Sequence, residues 1–102
     1  MYKKGLEMFE RIREWAQERG LYEKGDQKTQ TIKLGEEYGE LCQAIIKEDE
    51  EGAIDAIGDM VVVLTNLAHI KGYKIVDCID HAYDEIKNRK GSMKNGSFVK
   101  NQ

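Results

Sequence analysis

The chain has 102 residues, of which 40% are hydrophobic and 34% are charged, and its formal net charge is −3. This length excludes a multidomain enzyme with separate cofactor and substrate lobes, and this composition excludes a disordered tail. We expect one domain over residues 1–102. Because so small a domain closes only a modest core, we also expect it to form a homo-oligomer.

The charge is unevenly distributed along the chain. Residues 1–88 contain 12 basic and 19 acidic residues, whereas residues 89–102 contain four basic residues and no acidic one. The acidic body should repel a nucleic-acid backbone, so no nucleic-acid polymer is expected as a partner. The two cysteines lack metal-site or disulfide-scaffold spacing, and neither a signal-peptide pattern nor a long apolar run is present. These features predict a cytoplasmic protein that does not bind a membrane.

The chain contains no proline, and its ten glycines are scattered, which favours long helices. Apolar residues recur at helical spacing in four segments, over Lys4–Arg19, Gln27–Glu48, Ala53–Lys71 and Ile75–Arg89.

The residues between these segments are typical of helix ends. Gly20 and Gly72 are placed to end helices, and Asp26 is placed to cap the start of the second one. Residues 49–52 are predicted as a short turn, and residues 89–102 as an irregular basic tail. Since short connections join antiparallel neighbours, the predicted fold is all-α, with an antiparallel protomer resembling a four-helix bundle.

The third predicted helix is apolar over more than half its circumference, which predicts burial nearly all round. Its polar exceptions Asp55, Asp59 and Asn66 form one narrow stripe. Two carboxylates four residues apart near a core need a positive partner, which a basic side chain or a divalent cation would supply.

The second predicted helix adds acids that can face the third. Glu36, Glu37 and Glu40 lie within KLGEEYGEL, and the last two border the apolar stripe of that helix. Carboxylates from two facing helices suit Mg²⁺, which prefers oxygen ligands and commonly binds phosphate oxygens as well. Glycines in the two helix interiors, Gly35, Gly39 and Gly58, are unfavourable there and point to close approach of a helix or a ligand.

Three stretches carry a resemblance to a known family: QTIKLGEEYGEL, IDAIGDMVVVLTNLA and EIKNRKGSMKNGSFVK. Together they resemble the MazG-like members of the all-α nucleoside triphosphate pyrophosphohydrolase superfamily, especially small single-domain bacterial and phage-type proteins. The family pattern is ExxE on one helix and ExxD on the next. Glu37 and Glu40 match the first half and Asp59 matches the last acid, but Ala56 stands where the second half has Glu. Asp55 is the substitute that we predict.

The resemblance implies Mg²⁺-dependent cleavage of a nucleoside triphosphate to the monophosphate and pyrophosphate, with Mn²⁺ as a substitute cation. It also implies a homodimer or homotetramer and a role in removing noncanonical or excess nucleotides. The implied metal ligands are Glu37, Glu40, Asp55 and Asp59, and Glu36 either joins them or orients the attacking water. Glu36, Glu37, Glu40 and Asp59 are the predicted catalytic residues. Predicted phosphate contacts are Lys33, Lys87, Arg89 and Lys94, and predicted base contacts are Trp15, Tyr38 or Asn66.

Two alternatives stay open at this point. One is a related pyrophosphatase with a dUTPase-like or phosphoribosyl-ATP-type substrate. The other is a catalytically silent helical module that keeps its acids for metal-stabilised assembly or partner binding, which Ala56 favours.

Overall fold

The computed structural model describes residues 2–101, so the predicted domain 1–102 and the predicted tail 89–102 each extend to terminal positions outside the described residues. The chain is mostly helical and ends in a small sheet. Its elements in order are α1 (Tyr2–Glu18), α2 (Leu21–Lys24), α3 (Gln27–Ile46), α4 (Glu50–Ile70), α5 (Ile75–Ile86), β1 (Gly91–Lys94) and β2 (Ser97–Lys100). The four predicted helices correspond to α1, α3, α4 and α5. The single turn α2 lies in a segment that was predicted as a connection.

Two aspartates cap the starts of the central helices. Asp26 accepts hydrogen bonds from the backbone N–H and the hydroxyl of Thr29, at 2.8 and 3.0 Å, which confirms the predicted cap of α3. Asp49 accepts one from the N–H of Gly52 at 3.0 Å. Residues 50–52 are therefore the first turn of α4, and the prediction of a turn there was wrong. The cap and the acids Glu50 and Glu51 favour the helix, because negative charge stabilises a helix N-terminus.

Left-handed residues end three of the helices. Gly20 and Gly72 have φ values of 74° and 85°, in agreement with their predicted roles. Glu48 has a φ of 57°, and Asp49 N–H donates to Ala44 C=O at 2.8 Å across the end of α3. The helix α3 therefore ends at Ile46, two residues before the end at Glu48 that the sequence predicts for it.

The C-terminal segment is a β-hairpin, so the prediction of an irregular tail was wrong. β1 and β2 pair antiparallel, with Gly91 opposite Lys100 and Met93 opposite Phe98. The turn consists of Asn95 and Gly96, whose φ values are 51° and 80°. An Asn-Gly pair adopts these conformations readily, and its twist matches that of the two strands.

α4 is the central helix. α3 packs along it, and α1, α2 and α5 also contact it. The buried apolar residues are small, namely Ala16, Ala44, Ala56, Val63 and Ala68. The prediction that this helix is buried nearly all round was wrong for the described chain, because Ile54, Ile57, Val61 and Leu64 lie exposed along one side.

By length and composition alone, α4 could also cross a membrane. Core helices of soluble proteins meet the same criterion, and α4 packs against other helices of its own chain along part of its surface.

Candidate metal centre

Three acidic side chains from the two central helices meet in one group. Glu37 and Glu40 come from α3 and Asp59 comes from α4, and each offers a carboxylate oxygen within 4.8 Å of the others. The spacing of three residues in α3 places its two acids on one face, as the sequence predicted. Because only a short connection joins α3 to α4 and the two helices pack along each other, this face meets Asp59.

Glu37 is the buried member of this group. It is 7% exposed, and its Oε2 atom has no hydrogen-bond partner among the described residues. Burial, followed by hydrogen bonding to Glu40 and the negative charges of Glu40 and Asp59, raises the pKa of its carboxyl above the ordinary value of 4.5. The protein therefore holds a carboxylate where the ionised form is unfavourable.

The group has one basic neighbour in the part of the chain that the structure describes. Lys33 Nζ lies 3.8 Å from Glu37 Oε1, one helical turn away, and both the lysine and the two other acids are exposed. One exposed lysine compensates three carboxylates poorly, since exposed ion pairs contribute little. Three carboxylates, of which Glu37 has a buried oxygen without a partner in the described chain, fit a divalent cation such as Mg²⁺.

The other predicted acids lie outside this group. Asp55 is exposed one turn before Asp59 on α4, and Glu36 is exposed beside Glu37. Ala56, at the position where the resemblance expects Glu, is 2% exposed and belongs to the core. Metal binding by Asp55 and water orientation by Glu36 stay predictions.

The predicted phosphate contacts are dispersed. Lys33 lies beside Glu37, but Lys87 forms an ion pair with Asp84 at 2.8 Å. Arg89 follows α5, and Lys94 ends β1, both of them exposed. Within residues 2–101, therefore, only Lys33 is seen in contact with the acidic group.

The predicted base contacts are also separate from one another. Trp15 is half exposed, with the Arg19 guanidinium 4.5 Å above its ring, and Tyr38 is exposed on α3. Asn66 is 2% exposed, and its Oδ1 accepts a 2.6 Å hydrogen bond from the Tyr22 hydroxyl. Asn66 thus has a packing role that satisfies a buried amide, and its contact with a base stays a prediction.

The sequence reasoning missed Tyr22. Besides bonding Asn66, its ring stacks against His69 with the centroids 4.0 Å apart, beside a cavity of about 380 Å³. Arg13 lines the same cavity, and its Nη1 is buried with no hydrogen-bond partner in the described chain. A lone tyrosine in a polar connection is the signal that was available, since buried tyrosines usually pair their hydroxyl.

The fold and the site define a class of mostly helical proteins in which carboxylates from two packed helices converge. Within it, the sequence matches the phosphoribosyl-ATP pyrophosphohydrolase family over residues 7–97, and the chain belongs to that family. The family acts on phosphoanhydride bonds and is part of the MazG-like all-α nucleoside triphosphate pyrophosphohydrolase superfamily, which confirms the resemblance seen in the sequence.

One relative comes from Haemophilus phage HP1 (strain HP1c1) and is described as an uncharacterized 18.2 kDa protein in the rep-hol intergenic region. It is 40% identical over 62 residues, which cover 61% of this chain and 38% of the phage protein. The match thus covers well under two thirds of the relative's length. No solved structure matches the chain significantly.

Proposed function

We propose that this protein hydrolyses nucleoside triphosphates to monophosphates and pyrophosphate with the help of Mg²⁺. The observation that carries the proposal is the convergence of Glu37, Glu40 and Asp59 around an unpartnered buried carboxylate oxygen. Membership of a family that cleaves phosphoanhydride bonds supports the reaction class.

Glu37, Glu40 and Asp59 would hold the cation, and Asp55 would be a fourth ligand from the preceding turn of α4. Bound there, Mg²⁺ would neutralise phosphate charge and acidify a water molecule. Glu36, next to this group, is the residue that we propose to orient the water. The water would attack the α-phosphorus and lose a proton to solvent, the bond from this phosphorus to the α–β bridging oxygen would break, and that oxygen would leave with the pyrophosphate.

Basic residues would hold the remaining phosphates. Lys33 already lies beside the acidic group, and Lys87, Arg89 and Lys94 belong to a segment without acidic residues. We propose that this segment approaches the phosphates when the substrate binds, since charge-assisted contacts to phosphate are strong. The cytoplasm, where such nucleotides occur, stays the expected location.

The test is an incubation of the purified protein and Mg²⁺ with canonical and modified triphosphates, with pyrophosphate measured separately from orthophosphate. Pyrophosphate release is expected, and Glu40→Gln or Asp59→Asn should reduce it by more than about 100-fold, because changes to outer-shell partners of metal sites already cost about 10- to 100-fold. Glu51→Gln, an exposed acid in the first turn of α4, is the control. Release of orthophosphate alone, or equal activity of the variants, would contradict the proposal.

Phosphoribosyl-ATP is the second candidate substrate, because the family is described by its hydrolysis. It carries the same triphosphate chain, so the same three acids would serve. Including it in the substrate panel separates the two proposals by the ratio of their kcat/KM values.

We also propose that the chain works as a homo-oligomer. Its accessible surface is 8412 Å², whereas a compact monomer of 11.7 kDa is expected to expose only about 5,900 Å². Its radius of gyration is 15.9 Å, against an expectation of about 13 Å. The excess surface exceeds what one partner contributes to a standard interface, about 800 Å².

A further inference from the structure

The C-terminal hairpin has an apolar face that none of the described residues covers. Met93 and Phe98 lie opposite each other in the ladder, so their side chains share one face, and they are 66% and 49% exposed. Both strands are exposed along their whole length. A two-stranded hairpin is only marginally stable by itself in water, so this face needs a partner surface.

An apolar cleft of about 880 Å³ lies elsewhere on the described chain, between the first part of α1 and α5. Its walls include Leu6 and Phe9 from α1 and Val76, Ile79 and Tyr83 from α5. Leu6, Ile79 and Tyr83 are each about half exposed. The cleft is therefore a second uncovered apolar surface, with room for a pair of large side chains.

The two surfaces have opposite charge. Asp77 and Asp80 also line the cleft, whereas the residues that follow Ile86 include no acid. Lys100 projects from the same face of the hairpin as Met93 and Phe98, because it pairs with Gly91 two positions along the ladder. Docking would bring this lysine to an acidic rim.

We propose that the hairpin of one copy docks in the α1–α5 cleft of a second copy. Within one chain the hairpin does not line the cleft, and both apolar surfaces stay exposed together. Reciprocal exchange between two copies covers both, and it forms a closed, symmetric pair. Lys94, on the opposite face of the hairpin, stays available to a phosphate.

Cross-linking between the hairpin and α5 tests this contact. Cys78 is an exposed thiol on α5 next to the cleft residue Ile79, so Asn101→Cys in a Cys42→Ala background leaves one thiol beside the cleft and one beside the docking face of the hairpin, and it keeps Lys100 in place. A short bis-maleimide is added to mixed ¹⁴N- and ¹⁵N-labelled chains, and mass spectrometry of the cross-linked peptides distinguishes links between copies from links within one chain. Links between copies are expected. Links within one chain, or none, would overturn the proposal.

Two matched pairs of variants add a second readout. Ile79→Asp, in the cleft, and Phe98→Asp, on the docking face, should each lower the yield of the link between copies by about tenfold or more, because a carboxylate would be buried among apolar groups. Ile86→Asp and Val99→Asp are the controls. Ile86 is similarly exposed on α5 outside the cleft lining, and Val99 lies on the other face of β2. Equal yields within each pair would overturn the proposal, whatever the catalytic activity.

Discussion

At the scale of single residues, the buried carboxyl of Glu37 determines how the stability of the metal-free site depends on pH. Its carboxyl is buried beside two further acids, so ionisation is less favourable in the folded chain than in the unfolded one. Since the folded state then binds a proton more tightly, the metal-free protein should lose stability as the pH rises from below 4.5, the ordinary pKa of the group, through the raised pKa.

Glu37→Gln should remove this part of the pH dependence. In EDTA at neutral pH we expect the variant to be more stable than the wild type, because the amide carries no charge next to Glu40 and Asp59. Denaturant unfolding across the acid range measures the difference, and Glu36→Gln, at the exposed neighbouring position, serves as the control. A wild-type stability that rises with pH and is unchanged by Glu37→Gln would contradict the prediction.

Mg²⁺ should stabilise the folded protein through the same residues, because the cation compensates the charges that make the ionisation of Glu37 unfavourable. At a free concentration 100 times its Kd, the ion should raise the free energy of unfolding by about 2.7 kcal/mol. Asp59→Asn should lose most of this gain. The affinity should fall as the pH drops towards the raised pKa of Glu37, because metal and proton compete for its carboxylate. Denaturant unfolding with and without Mg²⁺ measures the gain in stability, and isothermal titration calorimetry at two pH values measures the affinity. A pH-independent affinity would speak against Glu37 as a ligand.

At the scale of elements, the helices could be predicted because their signals are local. Apolar spacing, the Asp26 cap and the glycines at 20 and 72 each act within a turn or two of the chain. The hairpin was not predicted although its Asn-Gly turn is a local signal, because its strands have only four residues each and are too short to show a clear alternation of apolar and polar residues.

The burial of α4 could not be predicted in the same way. Apolar periodicity shows which side of a helix avoids water, but it does not show whether the cover comes from the same chain or from a second copy. The meeting of Glu37 with Asp59 was predictable from the short connection between α3 and α4, whereas the bond between Tyr22 and Asn66 spans 44 positions and has no local signal.

The start of α4 offers a test at this scale. A Cβ atom added to Gly52 would lie 2.5 Å from Asp49 Oδ2 and 3.3 Å from the Cβ of Ala44. Gly52→Ala should therefore displace the Asp49 cap and lower the free energy of unfolding by about 1 kcal/mol.

Gly35→Ala is the matched control in α3. No atom lies within 4 Å of an added Cβ there, so the substitution should stabilise the helix by about 0.5–1 kcal/mol. Thermal and urea unfolding of the two variants measure the contrast. A stabilising Gly52→Ala would show that the cap is not held as the structure has it.

At the scale of the whole molecule, the described chain buries mostly small side chains and exposes its large ones. The exposed residues of α4 recur at spacings of three and four, over Ile54, Ile57, Val61 and Leu64, which is the pattern of helices that pack against one another. Gly58 lies on the same side, with no atom within 4 Å of an added Cβ. A helix of a second copy could therefore come close to α4 along this side, which would explain a glycine that packing within the chain does not.

Ile57→Asp tests this second contact between copies, which is separate from the hairpin and the α1–α5 cleft. Ile57 is central in the exposed stripe and 54% exposed, so in an oligomer packed through α4 the new carboxylate would lose its water and weaken association by several kcal/mol. Light scattering after gel filtration should show a multimer for the wild type and a smaller species for the variant. Ile46→Asp is the control, because Ile46 is the exposed last residue of α3 and lies outside the α4 stripe. If the contact is centred on α4, this variant should lower the mass of the multimer less than Ile57→Asp does. An unchanged mass for Ile57→Asp would show that the excess surface is covered elsewhere, and would leave the hairpin exchange as the remaining contact between copies.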